Sequence, residues 1–199
     1  MAADETARRP ATSATKLRLR WLLIVVAVMA LLTAGWPLLN SAVANRQPLA
    51  AGSRLTVGTG PTSAVVSFGA GWDLLPEQSN PLQGYVLDYG VLQLFIRHVS
   101  LVGRDQVPGM WQGLRRTLSV GDPSVRLSRP AFVTLARGLR VMTGVVTTSR
   151  FVGTATIYPG PSRDFGIEMI VFAPRRASPA LRAAAFRVIT SLRFTVPGR

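Results

Sequence analysis

Between Trp21 and Leu39 the chain reads WLLIVVAVMALLTAGWPLL, an apolar run without a single charge. At about 1.5 Å of rise per helical residue, roughly 20 such residues cross a hydrocarbon core of about 30 Å, so the run predicts a transmembrane helix. Five cations (Arg8, Arg9, Lys16, Arg18, Arg20) precede it against Asp4 and Glu5, and the next cation is Arg46. Positive charge clustered at one end holds that end in the cytoplasm. The expected location is therefore the cell membrane: single-pass, N-terminus cytoplasmic, the remainder extracytoplasmic. Trp21 and Trp36 bracket the core as interfacial aromatics do.

A cleaved secretory signal is the rival reading, because Ala42-Val43-Ala44 offers the small-x-small pattern of a processing site. The length of the apolar run, which Leu38 and Leu39 carry close to that site, favours an uncleaved signal anchor. Either reading exports the C-terminal portion of the chain. The predicted organisation is a basic cytoplasmic tail over 1–20, the membrane helix over 21–39, a linker over 40–52 and an extracytoplasmic α+β domain over 53–199.

From Arg46 onward 18 cations face 7 acids, a net charge of +11 in a protein of net charge +14. In the cytosol that balance would point to nucleic acid. Outside the cell it favours anionic lipid, an acidic wall polymer or an acidic partner protein, and no nucleic acid is expected. There is no cysteine, which excludes disulfides, thiolate nucleophiles and Cys-ligated zinc.

Beyond the linker the pattern is mostly of strands. Leu55 and Val57 alternate with polar neighbours, Ala64 to Phe68 is an apolar run, and Gly84–Asp88 with Val91–Ser100 predicts a hairpin turning at Tyr89-Gly90. In its second arm Leu92, Leu94 and Ile96 share one face, while Val91, Gln93, Phe95, Arg97 and Val99 share the other. Pro108 to Leu118 predicts a short helix with Trp111, Leu114 and Leu118 on one side. Four runs come next, Ala131–Leu135, Leu139–Thr148, Phe151–Tyr158 and Phe165–Ala173, separated by gaps too short for a crossover helix, so antiparallel pairing is predicted. Ser178 as N-cap, Pro179 in the first turn and a stripe of Leu181, Ala185, Val188 and Leu192 predict a C-terminal helix packed on the sheet.

The Gly71-Trp72 step after an early strand, and the helix ending Ile189-Thr190-Ser191-Leu192-Arg193-Phe194, resemble the PsbP-like α+β sandwich superfamily over about residues 53–196. Small exported lipoproteins of bacterial envelopes share that architecture, although this chain has no lipobox cysteine. The resemblance implies a non-catalytic binding or accessory role without a transferable site. Two further readings stand beside it. One is a structural subunit acting through its membrane helix, where Ala27, Ala30, Ala34 and Gly35 would permit close packing. The other is an envelope hydrolase.

The residues offer the hydrolase little. His98 is the sole histidine. It is expected at the edge of the core, with Asp88 in the facing arm as the acid that could orient it. Of the carboxylates, Asp73, Asp105, Asp122 and Asp164 are expected in turns. Glu168 alternates into register with Ile170 and Phe172, and is expected to pair with Arg140 or Arg150 or to face solvent. Gly58/Gly60 and Gly69/Gly71 lack a phosphate-loop ending, and Ser63 and Ser67 lack a nucleophile elbow. Trp72 and Trp111 are expected in the core, with an aromatic cleft as the alternative. No catalytic, metal or cofactor residues are assigned. The candidate anion or partner contacts are Arg115, Arg116, Arg175 and Arg176. Replacing Lys16, Arg18 and Arg20 by Glu is expected to disturb the orientation of the chain, and a topology reporter fused to the C-terminus checks it; unchanged export would contradict the charge argument.

Overall fold

Two hairpin systems far apart in sequence meet along one ladder and make a single large sheet. The structure, a computed structural model, describes residues 45–101, 106–135 and 138–195. The predicted tail and membrane helix, with Trp21 and Trp36, lie outside the described residues. Among the described residues no helix is long and apolar enough to cross a membrane.

The N-terminal strands are β1 (Gln47–Pro48), β2 (Arg54–Val57), β3 (Ala64–Ser67), β4 (Asp73–Leu74), β5 (Gly84–Tyr89) and β6 (Leu92–Ser100). Helix α1 (Gln106–Gly121) comes next, then β7 (Arg126–Leu127), β8 (Ala131–Thr134), β9 (Arg140–Thr147), β10 (Phe151–Pro159), β11 (Phe165–Pro174), helix α2 (Pro179–Ser191) and β12 (Arg193–Phe194). The large sheet runs β1-β4-β5-β6-β11-β10-β9-β7, with β8 also paired to β9, and every pairing is antiparallel. A smaller sheet runs β12-β3-β2. The architecture is α+β and sheet-rich, as the sequence indicates.

Strand parity places the cores. Leu92, Leu94 and Ile96 are buried on one face of β6. There they join Ile167 and Met169 of β11, Val57 and Val66 of the small sheet, and Ala185, Val188 and Ile189 of α2. The opposite face packs Met142, Val146, Ala155, Ile157 and Ile170 against Met110, Trp111 and Leu114 of α1. The sheet is thus covered by α1 on one side and by α2 with the small sheet on the other.

Each helix is fastened by identifiable groups. Ser178 caps α2, its Oγ accepting from Leu181 N–H at 3.3 Å. At the other end the Tyr158 hydroxyl donates to the Ile189 carbonyl, and Ser191 Oγ donates to the Ser67 carbonyl at 3.0 Å. These bonds satisfy late helical carbonyls and side chains that burial would otherwise strand. The middle helix is longer than its predicted 108–118, and Gly109 and Gly113 sit on its exposed side without interrupting it. Burial of three large side chains outweighs roughly 1 kcal/mol of helix propensity lost at each glycine.

Several short strands escape the sequence pattern. The first, β1, lies inside the stretch read as linker, and Arg193 and Phe194, expected to end the helix, are instead strand β12 paired with β3. The hairpin turn is Gly90-Val91, one residue later than expected, since Tyr89 pairs with Leu92. Gly90 supplies the positive φ (58°) that a two-residue hairpin turn requires. Asp73, expected in a turn, is instead in β4 opposite Asp88.

Gly144 decides how closely α1 approaches. A Cβ there would lie 2.8 Å from Trp111 Cζ2 and 2.7 Å from Ser128 Oγ. The indole lies directly over the β9 backbone and donates to the Ser128 carbonyl at 3.1 Å. Gly144→Val is therefore expected to destabilise the domain by about 1–3 kcal/mol, read as a lowered midpoint in urea; an unshifted midpoint would mean that α1 is not seated as described.

Candidate ligand groove

Helix α2 packs over β3 and β6, and this placement leaves part of the sheet beside it open. A groove of about 780 Å³ lies there. Its floor comes from the inward positions of β9, β10 and β11, including Val141, Val145, Val152 and Val171. One wall is the α2 flank carrying Arg182, Ala185, Phe186 and Ile189; β8 contributes Val133. Phe186 is 62%, Val145 50% and Val133 39% exposed, so large apolar side chains stand open to solvent here. Such a concentration marks interaction surfaces more often than bare ones.

Polar groups collect at one end. Arg175 comes directly after β11 and approaches the Thr148 carbonyl at 3.5 Å, and Arg182 lies early in α2. The pairing Val152↔Ala173 puts Arg175 beside the β9–β10 turn, and Leu181, next to Arg182, comes within 4.0 Å of a Cβ built at Gly90, in the turn before β6 at the same end of the sheet. Val141 and Ile189 lie toward the other end, where Ile157 pairs with Met142. No Asp or Glu is among the described residues lining the groove.

A second cavity, of about 800 Å³, opens on the α1 side between the end of that helix and the Gly90-Val91 and Ser149-Arg150 turns. Phe95 and Phe172 meet edge-to-face in it with ring centroids 6.0 Å apart. Its rim mixes Arg150 with Asp88 and Asp122. Asp122 is engaged with Ser124, whose hydroxyl and then N–H, the latter at 2.8 Å, hold its carboxyl below the usual range. The mixed rim matches no single ligand charge, whereas the α2 groove carries one sign.

Of the four predicted contacts, Arg175 lines the α2 groove, and the other three line neither of these two cavities. Arg176 is exposed beside it, and Arg115 and Arg116 are exposed on α1, which covers the other face of the sheet. The structure therefore separates the two arginine pairs. Arg182 completes the cationic end, and in the sequence it stands out only as a residue off the apolar stripe of the helix. Its position four residues after Ser178 places it in the first turns, yet no local pattern reports that it lines the same groove as Arg175.

The residues considered for hydrolysis do not converge. His98 stacks on Phe165, centroids 5.4 Å apart, with its Nε2 buried and unpartnered under Gly58. Asp88 faces Gln93, five positions along β6 from His98, and bonds Arg46 at 3.0 Å. Trp72 packs in the core against Phe68 and Tyr89, and Trp111 under α1. Asp164 accepts from Ser162 in its turn, while Asp105 lies outside the described residues. Among the described residues no cluster of three or more His, Asp or Glu could hold a metal.

Comparison of the whole fold with solved structures finds cyanobacterial PsbP (CyanoP) from Synechocystis, at a TM-score of 0.53 and 9% identity, covering 77% of this chain and 99% of that one. The Ran-binding protein Mog1p of Saccharomyces cerevisiae superposes at a TM-score of 0.50 and 10% identity, covering 72% and 96%. The fold is PsbP-like. No family model matches the chain, and no curated protein matches it in sequence.

Glu168 corrects an expectation. It is neither exposed nor near a partner on Arg140 or Arg150: it is buried on the α1 side of β11 and pairs in register with Arg97 of β6. Burial pushes its carboxyl up to about 7, and the charge of Arg97 partly opposes the shift. The folded state thus binds the proton more tightly than the unfolded chain. The resulting stability is full below the ordinary value of 4.5 and is lost as pH rises through about 7. The loss amounts to roughly 3 kcal/mol. Glu168→Gln should remove this slope: thermal melts of the two proteins are expected to diverge between pH 5 and 7, the variant gaining, and a constant gap would contradict the burial argument.

Proposed function

We propose that the chain is a single-pass, membrane-anchored envelope protein. In this reading its extracytoplasmic PsbP-like domain is a non-catalytic binding module for a partner protein or an anionic envelope component. The observation that carries this reading is the α2 groove, apolar along its length and cationic at one end. The fold likeness supports a binding role, since Mog1p is a Ran-binding protein. Export is supported by the apolar run at 21–39 and the cations before it. The net positive charge beyond that run suits an acidic target on the outer side of the membrane.

A photo-reactive amino acid placed at position 145 of the full-length chain, in intact cells, tests the proposal. Discrete adducts are expected from the membrane fraction, reduced severalfold by Arg175→Glu with Arg182→Glu. The same probe at position 116 on α1 is expected to give none. Adducts from position 116 alone, or adducts indifferent to charge reversal, would remove the groove from the account.

A further inference from the structure

We propose that the α2 groove takes one acyl chain of an anionic membrane lipid, with the headgroup held at Arg175 and Arg182. This rests on the reading of the domain as a membrane-anchored binding module and names the ligand of the same site.

The floor is the first argument. The backbone groups of β9, β10 and β11 are engaged in continuous antiparallel ladders. The Thr143 hydroxyl is likewise occupied with the Ala155 carbonyl and with Thr156, at 3.2 and 3.3 Å. An extended peptide lying on that floor would leave its own amides without partners, which burial penalises. A hydrocarbon chain carries no such groups.

Polarity is the second. From Val145 to Val141 the floor runs four residues, about 13 Å, away from the arginine end. Val152 and Phe186 keep to the same apolar course, and nothing along it offers a charge. A ligand with one anionic head and one long tail repeats this division; a water-soluble anion would use only the arginines.

Charge is the third. Arg175 and Arg182 are exposed, and Asp88, two strands from β11, lines the cavity on the α1 side of the sheet and is paired with Arg46. With no carboxylate among the described residues lining the groove, neither guanidinium group is held there by an acid, Arg175 reaching the Thr148 carbonyl at 3.5 Å through one nitrogen and keeping its other donors for a phosphate or carboxylate headgroup. The groove volume, about 780 Å³, lies in the range of small-molecule sites rather than of shallow contact patches.

The test uses the full-length chain reconstituted in phosphatidylcholine vesicles containing a minor fraction of phosphatidylglycerol with a photoactivatable group in its acyl chain. After irradiation, labelled peptides are mapped by mass spectrometry. Label is expected on 21–39 and on groove peptides carrying Val145, Val152 and Phe186. Moving the photoactivatable group to phosphatidylcholine, or making Arg175→Gln with Arg182→Gln, should cut the groove label roughly tenfold while sparing 21–39. Both arginines are exposed, and an unchanged circular dichroism spectrum confirms that the variant folds.

Label confined to 21–39 would overturn the inference and leave the anchor standing, as would groove label equal for both lipids and indifferent to the Gln substitutions. Groove label without label on 21–39 would support the inference and remove the anchor. A protein adduct at position 145 in cells, with no lipid adduct there, would assign the groove to a peptide.

Discussion

The fold depends on one ladder, β6 against β11, where eight residues from Phe165 to Phe172 pair with Ser100 to Gln93. It joins a hairpin formed near the start of the domain to a meander formed near its end. Without it each half would be a small sheet with apolar side chains on both faces and too little to bury them against. With it, Leu94, Ile96, Ile167 and Met169 form a continuous inner surface on which α2 and the small sheet can settle. The cost is loop closure across more than sixty residues, which grows only slowly with length.

The same ladder explains why the two faces differ. On the α1 side, glycine at 144 lets an indole rest on the sheet, and Met110 fills the space left by Gly166. That closeness buries Glu168 beside Arg97 and seals much of the surface. On the other side α2 is fixed by Tyr158 and Ser191 and packs over the earlier strands β3 and β6. Valines of β9 and β10 are left with a wall on one flank and solvent on the other. The groove is thus a consequence of where a thirteen-residue helix is tied down.

Much of this is legible in residue order. Period-two alternation assigns the correct faces of β6 and places Glu168 in register with Ile170 and Phe172. Ser178, Pro179 and the Ala185/Val188 stripe predict α2 with its cap and its buried side. The meander of β8 to β11 is implied by gaps too short for a crossover. What escapes is non-local. Alternation tells which face a residue takes and not which strand will lie beside it, so the β6–β11 pairing carries no local signal. Strands of two residues, such as β1, β4, β7 and β12, are too short to show a period. The site suffers most from this: Arg175 stands out in the sequence as half of a basic pair, but the other cation lining the groove is Arg182, carried there by the turn from β11 into α2. Glu168 is on the expected face, yet only the docking of α1 makes that face a buried one.

Native-state hydrogen exchange measures the central ladder most directly. If β6 and β11 weld the domain, the amides of Phe95, Arg97, Glu168 and Ile170, which the register turns toward the facing strand of that ladder, should exchange only through global unfolding, with a shared free energy equal to that from denaturant melts. The exposed strand β8 should open at lower cost. Exchange of β6 with β5, and of β11 with β10, as two units of separate and lower free energy would contradict the account, because the halves would then be holding themselves together without the ladder.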